Sequence, residues 1–308
     1  MTDDRSRRSG SRVVAAWAAR GEIRRLAGLD IFTVDIPPAG PESAEPLLVL
    51  HGFPTSSFDF RHVVDDLARR RRVVLLDLAG YGLSAKPDRP YTMELQADVV
   101  AAFTAGLGLD RLALLTHDMG DTVGGELLAR QLEGTWPVEV TRRVLTNGSI
   151  YIGLAQLSVG QEVLLALPDQ ALTGAGLIDG PGMAANLAAT FSPASAVDGR
   201  ELDAQWELIS RAGGHLLLPR LIRYVEERRR SEDRYTGAIE NHPSPLAVVW
   251  GVDDPIAVVS MTDRLLEARP DASVTLLGGV GHFPMIEAPG RFLAAVTPAL
   301  AGPSPAGP

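Results

Sequence analysis

The sequence predicts an α/β fold: a mainly parallel, twisted sheet with helices on both faces and an inserted helical cap. Short apolar runs that read as buried strands recur at Leu47–Leu50, Val73–Leu76, Leu112–Leu115, Arg143–Leu145, Leu246–Trp250 and Val274–Leu277. Helical patterns separate most of them, which is the signature of parallel strands joined by crossover helices. That alternation stops between about Ile152 and Ala238. Helical periodicity continues there without a good strand candidate, broken by Pro168, Gly174, Gly176, Gly180-Pro181-Gly182 and Pro193. A helical insertion between two strands sits naturally over the strand carboxyl ends, where such sheets bind ligands.

These observations divide the chain into a flexible tail (1–16), a first core segment (17–150), a cap (151–238), a second core segment (239–301) and a disordered Gly/Pro-rich tail (302–308). An early pair near Glu22–Leu26 and Leu29–Val34 fits an antiparallel edge. With 308 residues and 45 % hydrophobic content, the chain can bury a full core. Its net charge of −9 argues against a nucleic-acid partner. The absence of cysteine removes disulfides, thiolate metal sites and a cysteine nucleophile. No apolar stretch is long enough for a bilayer span. The basic start Arg5-Ser6-Arg7-Arg8 precedes an apolar segment broken by Arg20 and lacking a clear cleavage site, so a cytoplasmic enzyme is the expectation.

The chemistry is concentrated at Thr116-His117-Asp118-Met119-Gly120. This segment follows the run Arg111-Leu112-Ala113-Leu114-Leu115 and precedes a helical stretch, the order of a strand, a sharp turn and a helix in a nucleophile elbow. The apex is Asp118. A carboxylate attacking an acyl group would give a reactive anhydride, whereas attack at an alkyl carbon gives an ester intermediate. Epoxides or alkyl halides therefore come before esters or peptides as substrates.

Three further motifs fall where such a nucleophile needs them. His51-Gly52-Phe53-Pro54 follows a strand, so the Phe53 N–H is a candidate oxyanion donor, with the Met119 N–H as the second. Gly251-Val252-Asp253-Asp254-Pro255 follows another strand and offers a carboxylate to orient a base. Asp254 fits the G-x-x-D spacing better than Asp253. Gly281-His282-Phe283-Pro284 follows the last strand, and the chain order Asp118, Asp254, His282 matches nucleophile, acid and histidine. Other features carry less. The segment Asp77-Leu78-Ala79-Gly80-Tyr81-Gly82-Leu83-Ser84 lacks the spacing of a phosphate loop and reads as a structural turn whose aspartate bonds backbone. His117 is expected to pack, Asp121 to sit in the first turn of a helix and favour its dipole, and Arg228-Arg229-Arg230 to be a solvated helix face.

With these residues in hand, the chain resembles α/β-hydrolases of the epoxide hydrolase and haloalkane dehalogenase superfamily. Within that group, His51-Gly52-Phe53-Pro54-Thr55-Ser56-Ser57, His117-Asp118-Met119-Gly120-Asp121 and Thr146-Asn147-Gly148 are most similar to mesoderm-specific transcript proteins and their bacterial relatives. So is Tyr224 through Ala238, with Glu227-Arg228 and Arg234-Tyr235-Thr236-Gly237-Ala238. The resemblance runs from about Trp17 to the last helix and implies the α/β-hydrolase fold. It also implies a reaction without metal or cofactor, with a small apolar organic substrate and water as partners.

Dehalogenases of this superfamily hold the leaving halide on side-chain N–H groups at the positions of Phe53 and Met119, and neither residue has one. Epoxide hydrolases use a lid tyrosine as proton donor. Tyr224, which shares a helix face with Leu217 and Leu221, is the best candidate. Tyr151 lies early for that role and Tyr235 fits a structural place. The resemblance leaves His51, Phe53, Met119 and Tyr224 as candidate substrate contacts and epoxide opening through an Asp118 ester as the expected reaction. The alternatives are a dehalogenase, an ester or lactone hydrolase with the same triad, or a non-catalytic binding protein on the scaffold. Oligomeric state is left open.

Overall fold

The apolar runs of the sequence become the centre of an eight-stranded sheet. The computed structural model describes residues 3–41, 44–173, 178–193, 195 and 197–301, so the expected tail at 302–308 lies outside the described residues. The strands are β1 (Gly21–Leu26), β2 (Leu29–Ile36), β3 (Leu47–Leu50), β4 (Val73–Leu76), β5 (Arg111–His117), β6 (Glu139–Thr146), β7 (Leu246–Gly251) and β8 (Ser273–Leu277). Their spatial order is β1-β2-β4-β3-β5-β6-β7-β8. β1 and β2 form the antiparallel edge, β2 pairs antiparallel with β4, and every later pairing is parallel. Every residue of β3, β4 and β7 is buried, as expected of strands covered on both faces, and β8 at the far edge is largely exposed.

The helices in chain order are α1 (Asp3–Ala18), α2 (Val64–Leu67), α3 (Met93–Gly106), α4 (Met119–Leu132), α5 (Val159–Ala166), α6 (Gly180–Ala188) and α7 (Gly199–Ser210). There follow α8 (Leu218–Leu221), α9 (Tyr224–Arg230), α10 (Glu232–Asn241), α11 (Ser260–Ala268), α12 (Pro284–Glu287) and α13 (Pro289–Ala301). Local chemistry sets several of their starts. Ser158 and Gln161 form a reciprocal capping box on α5, Asp179 caps α6 ahead of Pro181, and Asp198 caps α7.

Among the described residues the stretch between β6 and β7 is helical and contains no strand. Its last helix, α10, packs on α4 of the core: Arg234 pairs with Glu126 and Glu133, and the Tyr235 backbone lies against Gly125. Arg143 of β6 fastens the far end of α10. Its guanidinium donates to the carbonyls of Ile239, His242 and Ser244 and to the Ser244 hydroxyl at 2.8–3.1 Å.

The sequence expectation of a tail at 1–16 is corrected by α1. Its carboxyl half buries Val14 and Trp17, Trp17 meets the Phe58 ring edge-on at 6.3 Å, and Ser11 donates to Glu207 of α7 at 2.9 Å. Burying an indole repays ordering the segment. No helix among the described residues is long and apolar enough to cross a membrane.

Candidate active site

Asp118 sits between β5 and α4 with φ 51° and ψ −118°, a backbone position that non-glycine residues rarely adopt. The close approach of three chain segments holds it there. A side chain at Gly120 would collide with the Leu50 and His51 carbonyls at 2.6 and 2.7 Å, so α4 can start against the end of β3 only because residue 120 has no Cβ. A Cβ at Gly52 would lie 2.4 Å from Asp118 Oδ2, and this absence lets the turn after β3 close over the carboxylate. The Phe53 N–H donates to Asp118 Oδ2 at 2.7 Å. Met119 opens α4, where a first-turn N–H has no carbonyl partner within the helix.

His282 Nε2 lies 3.9 Å from Asp118 Oδ1, and its Nδ1 donates to Asp254 Oδ2 at 2.7 Å. All three side chains are buried. Burial alone would lower the His282 pKa. The paired Asp254 carboxylate outweighs it, Asp118 and Glu287 add to it, and the pKa is raised to about 9. The His117 ring lies tilted 5.0 Å from that of His282, and burial followed by the His282 charge depresses its pKa to about 4. It therefore stays neutral, and its Nε2 meets the His282 carbonyl at 2.8 Å, so the expected packing role includes fixing the loop that carries His282.

Asp254 pairs with the His282 imidazole and Asp253 does not, because Asp253 accepts from the Ser192 hydroxyl instead. Asp254 Oδ1 accepts from the N–H groups of Ile256 and Ala257 at 2.8 and 3.0 Å. Asn147 donates to Asp254 Oδ2 at 2.8 Å and to the Gly251 carbonyl, while its own oxygen accepts from the Gly251 N–H. Sequence reasoning quoted Asn147 and missed this task. Its signal was an asparagine directly after a buried strand, able to take the left-handed backbone seen at φ 48°. Glu287 was missed as well. Its carboxylate collects the N–H groups of Gly281, Phe283 and Ser192, shaping the loop that carries His282.

Two expectations change, those for His51 and Arg228. His51 is a brace and not a substrate contact: Nδ1 donates to the Gly52 carbonyl, Nε2 accepts from the Leu78 N–H, and the ring is buried. Both ring nitrogens are spent on backbone. Arg228 is buried and donates to the Thr122 hydroxyl, so only Arg229 and Arg230 form the solvated face. Asp121 sits in the first turn of α4 as expected, yet it is fully buried, and burial pushes its pKa well above the ordinary carboxylate range. Tyr151 donates to Glu240, a structural role. The Asp77 turn is as expected, with its carboxylate accepting from the Ser57 and Leu83 N–H groups.

Tyr224 is buried on α9, with its ring 5.7 Å from that of Phe53. Burial and then the Asp118 charge raise its pKa, so the hydroxyl keeps its proton beside the carboxylate. Tyr81 also reaches this region, with its hydroxyl 3.3 Å from Met119 Sδ. A cavity of about 280 Å³ opens above His282. Val159, Val163, Leu164, Met183, Leu187 and Ile256 give it mainly apolar walls. Among the described residues no three metal-ligating side chains are grouped to hold an ion. A carboxylate between a backbone N–H and a paired imidazole can attack carbon, and the imidazole can then activate water against the ester formed.

Residues 45–289 match the family model described as the alpha/beta hydrolase fold. The candidate hydrolase LipZ of Mycobacterium tuberculosis is 40 % identical over 256 residues, covering 82 % of this chain and 88 % of its own. The mesoderm-specific transcript protein of Mus musculus is 31 % identical over 289 residues, covering 90 % and 85 %. In structure, a loop variant of haloalkane dehalogenase DbeA from Bradyrhizobium elkanii superposes with a TM-score of 0.70 at 20 % identity, over 92 % of this chain and 96 % of that one. The sheet order, the elbow and these relatives agree: the chain belongs to the α/β-hydrolase fold family, and it is a hydrolase.

Proposed function

We propose that this hydrolase opens epoxides to diols through a covalent ester on Asp118. The observation that carries the reading is the environment of the elbow carboxylate. Oδ2 is held by the Phe53 N–H, and Oδ1 lies 3.9 Å from Nε2 of His282, which itself lines the cavity. That oxygen attacks an epoxide carbon while Tyr224 protonates the epoxide oxygen. In the resting site His282 carries a proton at neutral pH. Ester formation removes the Asp118 charge that helps hold it, so the imidazolium releases its proton to solvent more readily, and the neutral imidazole is then available to accept one from the attacking water. The Phe53 and Met119 N–H groups then face the oxyanion that develops on the ester oxygen. The apolar cavity suits a small apolar substrate.

Neither Phe53 nor Met119 offers a side-chain N–H to a leaving halide. An epoxide oxygen leaves as an alkoxide and needs a full proton, which Tyr224 can give. The test is hydrolysis of styrene oxide in heavy-oxygen water by the native chain and by Tyr224→Phe. Native turnover should place the label in Asp118, because water attacks the ester carbonyl, and Tyr224→Phe should slow opening by roughly 10²-fold. Label found only in the diol, or halide released from haloalkanes in place of epoxide opening, would overturn the reading.

A further inference from the structure

Two buried groups of the cap have no task in the reaction just described. Arg228 lies one turn beyond Tyr224 on α9 and is only 2 % exposed. Its Nε and Nη2 both donate to Thr122 Oγ1, at 2.9 and 2.6 Å, and its Cζ stands 5.1 Å from the centroid of the Tyr224 ring. Among the described residues no carboxylate bonds to it. The carboxyl of Asp121, next to Thr122, interacts with it through space, and a guanidinium taken out of water with so few direct partners is costly unless further negative charge comes near it. Gln161 is the second group. Its Oε1 accepts from the Ser158 N–H in the α5 cap, which leaves its amide N–H groups uncommitted, and its side chain acts on the Tyr224 hydroxyl to favour the charged form.

Following the charge through the proposed first step shows where that negative charge appears. A bond forms between Asp118 Oδ1 and the epoxide carbon, and the carbon–oxygen bond of the ring breaks. The electron pair goes to the epoxide oxygen, which takes the proton of Tyr224. Asp118 ends as a neutral ester and Tyr224 as a phenolate, so one negative charge has moved from the elbow to the cap. We propose that Arg228, assisted by Gln161, is a positioning residue that stabilises the phenolate left on Tyr224, an inference that rests on the proton-donor reading above. The groups facing Tyr224 fit this sequence. Before reaction, burial and the Asp118 charge hold the proton on, Arg228 pulls the other way, and the neutral Tyr81 hydroxyl stands nearby. Once the ester forms, the opposing charge is gone and Arg228 remains. A single lid tyrosine is then sufficient, because its phenolate is held by a cation over the ring and an amide at the oxygen.

The test is single-turnover reaction of the full chain with styrene oxide. It follows the Asp118 ester by mass after quenching and tyrosinate by its near-ultraviolet difference absorbance. Arg228→Met should slow ester formation by roughly 10²-fold, the scale of losing one preorganised electrostatic partner, and should abolish the tyrosinate signal. Arg228→Lys should recover most of the rate, because charge and not fork geometry is needed. Decay of the ester should keep the native time course, since that step belongs to His282. In a Tyr224→Phe background, Arg228→Met should add less than about twofold if the two residues act as a unit. An undiminished ester rate in Arg228→Met, or full additivity with Tyr224→Phe, would overturn the inference. Native ester formation in Tyr224→Phe alone would instead remove the proton-donor reading beneath it, a separate outcome. If Arg228→Met fails to fold, Thr122→Val decides. It frees the guanidinium while keeping the side chain's shape, and an unchanged ester rate and tyrosinate signal in it would refute the proposal.

Discussion

The raised pKa of His282 ties the active site to the stability of the whole fold. In the unfolded chain the imidazole titrates near 6.5, and in the folded site near 9. Below pH 6.5 both states carry the proton, and the full stabilisation from pairing with Asp254 is present. As pH rises from 6.5 toward 9, the unfolded state gives up its proton first. The native state then loses its advantage, and above 9 the contribution is gone. At ~1.36 kcal/mol for each tenfold change in proton affinity, the movement from 6.5 to about 9 corresponds to about 3 kcal/mol. Asp59 titrates near 7 and Lys86 near 8 in the folded protein, so the native slope is composite. The comparison with Asp254→Asn cancels those groups. The assay is denaturant unfolding of both proteins from pH 6 to about 9.5, with the His282 ring followed by proton NMR. The stability difference between them should shrink by about 3 kcal/mol as pH rises through that window, and the His282 titration should fall toward 6.5 or below in the variant. A difference that stays level with pH, or a native His282 titrating at 6.5, would refute the argument.

Other perturbations test the remaining geometry. His282→Gln should leave ester formation largely intact but block its hydrolysis, so that an alkylated chain accumulates as a mass increase; normal steady turnover would contradict the assignment. Gly52→Ala should leave the fold in place while lowering turnover by roughly 10²-fold or more, because the added methyl would lie 2.4 Å from Asp118 Oδ2 and displace it; circular dichroism and steady-state kinetics together check this. Arg143→Met should cost about 2–4 kcal/mol in denaturant unfolding, since it leaves the buried Ile239 carbonyl without its donor and loosens the end of α10; a change under about 0.5 kcal/mol would show that the guanidinium is dispensable.

The core strands were legible because a strand buried on both faces must be apolar throughout, which leaves runs such as Leu47–Leu50 and Val73–Leu76 unmistakable. The three site residues were legible because each follows a strand at its carboxyl end, where the turn exposes a side chain to one common region. Burial by tertiary contact was not. Arg228 and Asp121 look like ordinary solvated charges in a one-dimensional pattern, and only the packing around α4, with Arg228 on Thr122 and Gly148 against Asp121, shows that both are enclosed. The basic start of α1 hid Val14 and Trp17, whose partners Phe58 and α7 are far away in sequence. His51 failed in the opposite sense: its place next to Gly52 and Phe53 suggested the substrate side, yet the turn directs its ring to the Leu78 backbone.

The side chain of Asn147 bridges the strand end where the chain leaves for the cap to the strand end where it returns. Its amide holds the Gly251 backbone from both sides and touches Asp254 at the same time. The mouth of the long excursion is therefore pinned independently of what lies within it. For a segment with fixed ends, doubling its length costs only about 0.6 kcal/mol in closure entropy. Residues can be added to or removed from the middle of the cap at small cost in stability, while the spacing of Asp118, Asp254 and His282 stays the same. A change in cap length therefore alters the walls above the site and not the placement of these three side chains.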